Sequence, residues 1–226
     1  MDKTIKILGI CGSHVKGGNT EHFLRETLKA MENEEDVLTE IYNLSGKQFS
    51  GCVHCNWCIS KQKKGKYCVL NDDLGELFPK LVEADGLLLA TPVYLGRLTG
   101  LLASFMDRMR VFAEGSYYRG SLKNKVGGAL AVAWFRHGGI ESALLSILYG
   151  FLLMQMIPAS VPSVGALYGA GAVSSIRGEG AFDPQKRLTV LEDELGLKGG
   201  KAILERMIEL VRLTRYGTEN GFKISS

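Results

Sequence analysis

Four cysteines carry the clearest chemical signal in this chain. Cys52, Cys55 and Cys58 form a C-x2-C-x2-C run, and Cys68 follows after nine intervening residues. Core packing gives no reason to gather three thiols this closely, although an isolated free cysteine usually behaves as a small buried hydrophobe. A tandem C-x2-C-x2-C segment suits a cubane, because one short loop offers three sulfurs to three corners while a fourth arrives from farther along. A [4Fe–4S] cluster is therefore the preferred ligand. Structural zinc more often uses two separated cysteine or Cys/His pairs, but His54 inside the run keeps zinc open. A disulfide or redox switch at Cys55 and Cys58 is the third reading. Lys61, Lys63, Lys64 and Lys66, which precede Cys68, read as a solvated loop. If the cluster takes electrons from an acidic carrier such as a ferredoxin, the same charges steer the encounter. Cys11 lies outside this spacing and reads as a core residue.

Three further segments are rich in glycine and follow apolar runs. The first is Gly12-Ser13-His14-Val15-Lys16-Gly17-Gly18-Asn19-Thr20. Its glycines let the backbone fold around an anion, its Ser, Asn and Thr side chains add hydrogen bonds, and a following helix supplies N–H donors. It has neither the Lys-Ser/Thr of a Walker loop nor G-x-G-x-x-G spacing, so a mononucleotide phosphate suits it better than a dinucleotide; a plain strand-to-helix turn is the alternative. The second, Thr91-Pro92-Val93-Tyr94-Leu95-Gly96-Arg97, offers a stiff proline turn and an aromatic ring as a wall for a flat ligand. The third, Phe135-Arg136-His137-Gly138-Gly139-Ile140-Glu141, lets backbone amides approach a ligand closely at its glycines. His137 reads as a hydrogen-bonded loop histidine, and no residue is assigned acid–base work.

The elements that position these loops alternate. Strands are predicted at Thr4 to Ile10, Val37 to Tyr42, Gly86 to Ala90, Val126 to Trp134 and Ser160 to Ala166. Helices are predicted at Thr20 to Met31, Asp72 to Glu83, Leu98 to Phe112 and Gly139 to Met156. This alternation implies an α/β doubly wound parallel sheet with right-handed crossovers and helices on both faces. Ligands of such sheets bind outside the carboxyl ends of the strands, where the three glycine loops fall. Residues 1–170 form the expected domain, with the cysteine loop inserted at about 50–71. The remainder, 171–226, is a C-terminal helical extension: after a polar loop at Gly169 to Phe182, Asp183 to Tyr216 carry helical periodicity that breaks at Gly196, Gly199 and Gly200, and the extension is expected to pack on the domain or a partner subunit.

Composition narrows the class. Hydrophobic residues make up 46% and charged residues 23%, which argues against disordered and fibrous chains. A net charge of +3 gives no reason to expect a nucleic-acid or anionic-membrane partner. The apolar stretch from Ala143 to Ile157 is shorter than the ~20 residues that span a bilayer. Five cysteines and an opening without signal-peptide features point to a reducing, cytoplasmic context.

Taken in order, GSHVKGGNT at 12–20, GCVHCNWC at 51–58, YCVLNDDL at 67–74, TPVYLGRLTG at 91–100, SFMDR at 104–108 and RHGGIESALL at 136–145 resemble the NAD(P)H-dependent FMN reductase family. Within it, the resemblance is to the iron-sulfur flavoproteins of the flavodoxin-like superfamily. It implies a flavodoxin-like five-stranded sheet in the order 2-1-3-4-5 with FMN at its switch point. Ser13, Gly18, Asn19 and Thr20 would then hold the phosphate. Pro92, Val93, Tyr94 and Gly96 would lie beside the isoalloxazine, with Arg136, Gly138 and Gly139 on the third side. Lys16, Leu95 and His137 complete the candidate cofactor-binding set, and Cys52, Cys55, Cys58 and Cys68 would hold the cluster. Val15 stands where the family usually has an arginine, which leaves Lys16 or backbone amides to balance the phosphate. The fourth cysteine also stands farther along than is usual. The implied activity is electron transfer between cluster and FMN, from ferredoxin or NAD(P)H to a small acceptor, in a homodimer or homotetramer. A cluster-free NAD(P)H-dependent FMN or quinone reductase and a zinc-stabilised binding module are the alternatives.

Overall fold

The computed structural model describes residues 4–221; residues 222–226 of the expected extension lie outside them. Strands β1 (Ile5–Cys11), β2 (Val37–Asn43), β3 (Gly86–Pro92) and β4 (Val126–Ala133) pair in parallel in the order β2-β1-β3-β4. Side chains alternate along each strand, so every strand feeds two cores. Leu8, Ile10, Leu87, Leu89, Ala129 and Ala131 face one side. There they meet helices α3 (Leu74–Glu83), α4 (Gly100–Arg108) and α6 (Ile140–Leu153) through Leu77, Phe78, Leu81, Leu102, Phe105, Ile147 and Phe151. Ile5, Ile7, Leu88, Ala90, Val126, Leu130 and Val132 face the other side. They pack on α1 (Asn19–Lys29) and α7 (Glu194–Glu219) through Phe23, Leu24, Leu28, Ile203, Leu204 and Met207.

The fifth strand position differs from the expectation. Two short strands fill it, β5 (Ile157–Pro158) against the start of β4 and β6 (Ala170–Val173) against its end. The expected strand at 160–166 is the excursion between them, which contains a 3-10 turn at Pro162–Val164 and a left-handed Gly165. Proline removes a ladder donor, and glycine with positive φ turns the chain out of line. Conversely, part of the expected polar loop at 169–182 is strand β6. Its small residues leave room for the helices on each face, since a Cβ on Gly171 would lie 2.5 Å from Ile140 Cγ2.

Two helices also depart from their sequence pattern. The segment expected as one helix from 98 to 112 breaks at Met109 into α4 and α5 (Arg110–Ala113). The glycines expected to interrupt the last helix lie inside α7. A Cβ on Gly200 would stand 2.4 Å from Thr27 Oγ1, and one on Gly196 would stand 2.6 Å from the Ala172 Cβ. Close packing on α1 and β6 thus outweighs a cost of about 1 kcal/mol per glycine in helix propensity. Among the described residues, no helix is long and apolar enough to cross a membrane.

Candidate functional site

The three glycine loops leave the carboxyl ends of β1, β3 and β4, as expected of a doubly wound sheet. Gly12 begins the first. Its N–H donates to the Ala90 carbonyl at 2.7 Å, its carbonyl accepts from Thr99 Oγ1 at 2.7 Å, and a Cβ there would lie 2.6 Å from the Leu102 Cβ. Thr99 also caps α4 by accepting from the Leu102 N–H, and its own N–H donates to Thr91 Oγ1 at 3.1 Å. One buried threonine therefore fixes the first loop to the second. Sequence reasoning missed it, although a threonine before an apolar helical run is an N-cap signal.

Within the first loop, the buried Ser13 hydroxyl accepts from the Val15 N–H at 3.0 Å, and Lys16 is exposed. Gly18 occupies the N-cap of α1 in extended conformation with no side-chain cap, which leaves the first helical N–H groups open. One expected phosphate ligand, Asn19, is engaged elsewhere, and so is the N–H of the neighbouring Gly17. The Asn19 amide accepts from the Val190 N–H at 3.0 Å and donates to the Arg187 carbonyl at 3.1 Å, so its side chain ties α1 to the C-terminal segment. The Gly17 N–H donates to Glu21, a carboxylate 3% exposed that also pairs with Arg25 at 2.6 Å. Burial works to raise the Glu21 pKa, but the Gly17 N–H and the Arg25 charge outweigh it, and the pKa is lowered.

The second loop turns back through Leu95 and Gly96, both left-handed, with Tyr94 and Arg97 paired through their backbones. Two consecutive positive φ values are what a two-residue hairpin turn requires. They leave Leu95 fully exposed at the tip, a left-handed leucine of a kind that costs about 1–2 kcal/mol. The third loop meets this turn: a Cβ on Gly139 would lie 2.5 Å from Gly96 Cα. Arg136 instead pairs with the buried Asp193 at 3.2 Å, and Asp193 also accepts from the Val173 and Gly196 N–H groups. Arg136 and His137 line a separate cavity of about 610 Å³ at the sheet edge, between α6, the excursion around Ser163–Gly169 and α7. A segment that sequence reasoning left as a loop folds over Trp134 and Phe135. Trp134 Nε1 donates to the Gly180 carbonyl at 3.0 Å, and the Arg136 N–H donates to Gly178 at 3.0 Å.

The cysteine loop is built differently. His54 and Asn56 take left-handed conformations, curling the chain between successive cysteines into the short helix α2 (Trp57–Lys61), which carries Cys58. Cys52 and Cys55 are exposed, Cys58 is buried and Cys68 is half-buried. All four line one small cavity with Trp57, Arg108 and Arg110. Gln62, which sequence reasoning passed over, anchors the return of the loop. Its amide donates to the Tyr67 and Val111 carbonyls at 2.9 and 3.1 Å and accepts from the Tyr117 and Tyr118 N–H groups at 3.1 and 2.8 Å. Tyr67 stacks on Tyr118 with ring centroids 4.0 Å apart and thereby fixes the neighbouring Cys68. Burial pushes the Cys58 thiol pKa up, with the Arg110 charge acting against it and Cys52 and Cys68 adding to it. Among the described residues, no three His, Cys, Asp or Glu converge as ligands of a single metal ion. The cavity that the four cysteines line has a volume of about 20 Å³.

The family described as NADPH-dependent FMN reductase matches residues 5–167. The chain belongs to that family. An iron-sulfur flavoprotein of Methanocaldococcus jannaschii is 35% identical over 93% of this chain and 100% of its own length. One of Archaeoglobus fulgidus is 37% identical over 91% and 96%. The chain is thus a flavin-dependent oxidoreductase of the iron-sulfur flavoprotein type within that family. Its fold matches RosB with a TM-score of 0.72 at 16% identity, covering 99% of this chain and 90% of that one. It matches a WrbA-like flavodoxin of Agrobacterium tumefaciens with a TM-score of 0.57 at 13% identity, covering 94% and 98%.

The first loop of this flavoprotein fits a phosphate through its backbone. The N-cap of α1 is open, and a Cβ on Gly17 would project into free space. The cysteine cavity fits an anionic sulfur-bound group, because Arg108 Nε and Arg110 Nη1 are buried there with no hydrogen-bond partner.

Proposed function

We propose that this flavoprotein passes electrons between a [4Fe–4S] cluster held by Cys52, Cys55, Cys58 and Cys68 and an FMN held by the glycine loops. The observation that carries the reading is the cavity in which residues 52 and 68, distant in sequence, share walls with the other two cysteines. The tandem C-x2-C-x2-C spacing with a later fourth cysteine favours a cubane over zinc, which more often uses two separated cysteine pairs. When bound, the two cofactors supply the redox chemistry, and the protein supplies binding and orientation.

The residues have distinct tasks. The N–H groups opening α1, with Ser13, Thr20 and Lys16, bind the phosphate. Pro92, Val93, Tyr94 and Gly96 line the ring, and Gly138 and Gly139 bring backbone close to it. The lysines at 61, 63, 64 and 66 face solvent beside the cluster cavity, which supports an acidic carrier such as a ferredoxin as donor; NAD(P)H is the other donor considered. Two relatives named NAD(P)H dehydrogenase (quinone) support a small quinone-like acceptor. Exposed Tyr149, Leu152 and Leu153 on α6 support a homodimer or homotetramer, and five free cysteines support a cytoplasmic setting.

The test is Cys55→Ser in protein purified without oxygen. Iron and sulfide are expected to fall sharply while FMN stays bound. Unchanged iron would remove Cys55 from the ligand set.

A further inference from the structure

Two arginines, Arg108 and Arg110, share the cavity with the four cysteines. Arg108 is 1% exposed and is held by Asp72 at 2.6 and 3.2 Å and by the Ser50 carbonyl at 3.1 Å. These contacts occupy its two terminal nitrogens; Nε–H is buried with no hydrogen-bond partner, and the Cys68 sulfur lies against the guanidinium and interacts with its charge. Arg110 Nη1 is buried and unpartnered in the same wall. Among the described residues, five buried side-chain nitrogens and oxygens lack a partner, and these two are the only nitrogens. A buried charged donor without an acceptor is costly, so two in one wall point to an acceptor in the cavity, and the sulfur of Cys68 already lies beside Arg108.

The backbone explains how both reach that wall. Residues two apart on a continuous helix do not face the same side. The break at Met109, whose N–H is shared between the Phe105 and Met106 carbonyls, redirects the chain between Arg108 and Arg110. An uninterrupted α4 would send one of them elsewhere.

We infer that Arg108 and Arg110 donate hydrogen bonds to the sulfur atoms of the group the four cysteines hold and thereby set how readily it accepts an electron. This rests on the cluster reading. A cluster held by four thiolates would bring net negative charge into a partly buried site, and uptake of one electron from a reducing carrier would add one more with no bond made or broken. Fixed cations and N–H donors stabilise the reduced form more than the oxidised one, so they raise the reduction potential. Both are positioning and tuning groups, and Asp72 braces the first.

The experiment uses the holoprotein purified without oxygen. It measures the cluster midpoint potential by dye-mediated titration and the iron–sulfur stretching bands by resonance Raman, with iron content and circular dichroism as controls. Arg110→Gln is expected to lower the potential and shift the bands while iron, FMN and fold are unchanged. Arg110→Lys, which keeps the charge and loses the planar donor, is expected to fall between the two. Arg108→Lys provides the same comparison at the braced position. Unchanged potential and bands in Arg110→Gln with iron retained would overturn the inference. So would loss of iron from both Arg110 variants with the fold intact, since that makes the arginine structural. Wild-type protein without iron would instead overturn the cluster reading on which this rests.

Discussion

Cys11 shows how placement alone divides five cysteines into two kinds. It is buried at the end of β1, and burial pushes its thiol up to about 11 from 9.0, so it keeps its proton where an exposed thiol would lose it. The unfolded chain ionises this thiol from pH 9.0 upward while the folded chain does so near 11. In that window the unfolded state binds fewer protons, and stability falls as pH rises. The two-unit gap corresponds to about 2–3 kcal/mol. Urea unfolding at pH 8, 9 and 10 is therefore expected to show a steeper loss in wild type than in Cys11→Ala. Equal slopes would contradict the account of its burial. The cysteine pattern was legible because three of the four cysteines stand within one short run of sequence. The partners of Asn19 and Arg136 were not legible, because Val190 and Asp193 lie 171 and 57 residues away and no local pattern announces them.

Among the elements, the loop that returns from Cys58 to Cys68 depends on one side chain. Gln62 satisfies four backbone groups, and replacing it strands them in a buried site. Gln62→Ala is expected to destabilise the protein by about 2–4 kcal/mol. A change below about 0.5 kcal/mol in urea midpoint, within the range of ordinary surface substitutions, would show that the loop is held otherwise. Strands β1 to β4 and helices α1, α3 and α6 were legible because their apolar periods are long and regular. Strand β6 was not, because Ala-Gly-Ala-Val lacks the large β-branched residues that mark a strand, and its small side chains are there to admit helices on both faces. The break at Met109 was invisible for a similar reason: the apolar period continues through it, and only the tertiary fold turns the chain.

At the scale of the molecule, the order β2-β1-β3-β4 places the first and second glycine loops side by side, with the third next to them. This is the arrangement the family resemblance implied. The lysine loop lies on the cysteine side, where it adds positive charge to a chain of near-neutral balance. If an acidic carrier docks there, replacing Lys63 and Lys64 with glutamate is expected to slow electron acceptance from such a carrier about tenfold at low salt and to flatten its salt dependence. Stopped-flow reduction over a salt series reads both effects, and an unchanged salt slope would move the docking site elsewhere. The central claim is that one chain holds both cofactors. Its most direct test is the content of iron, acid-labile sulfide, zinc and FMN in wild-type protein purified without oxygen. The expected result is about four irons and four sulfides per chain with one FMN; FMN with neither iron nor sulfide, or zinc in their place, would contradict it.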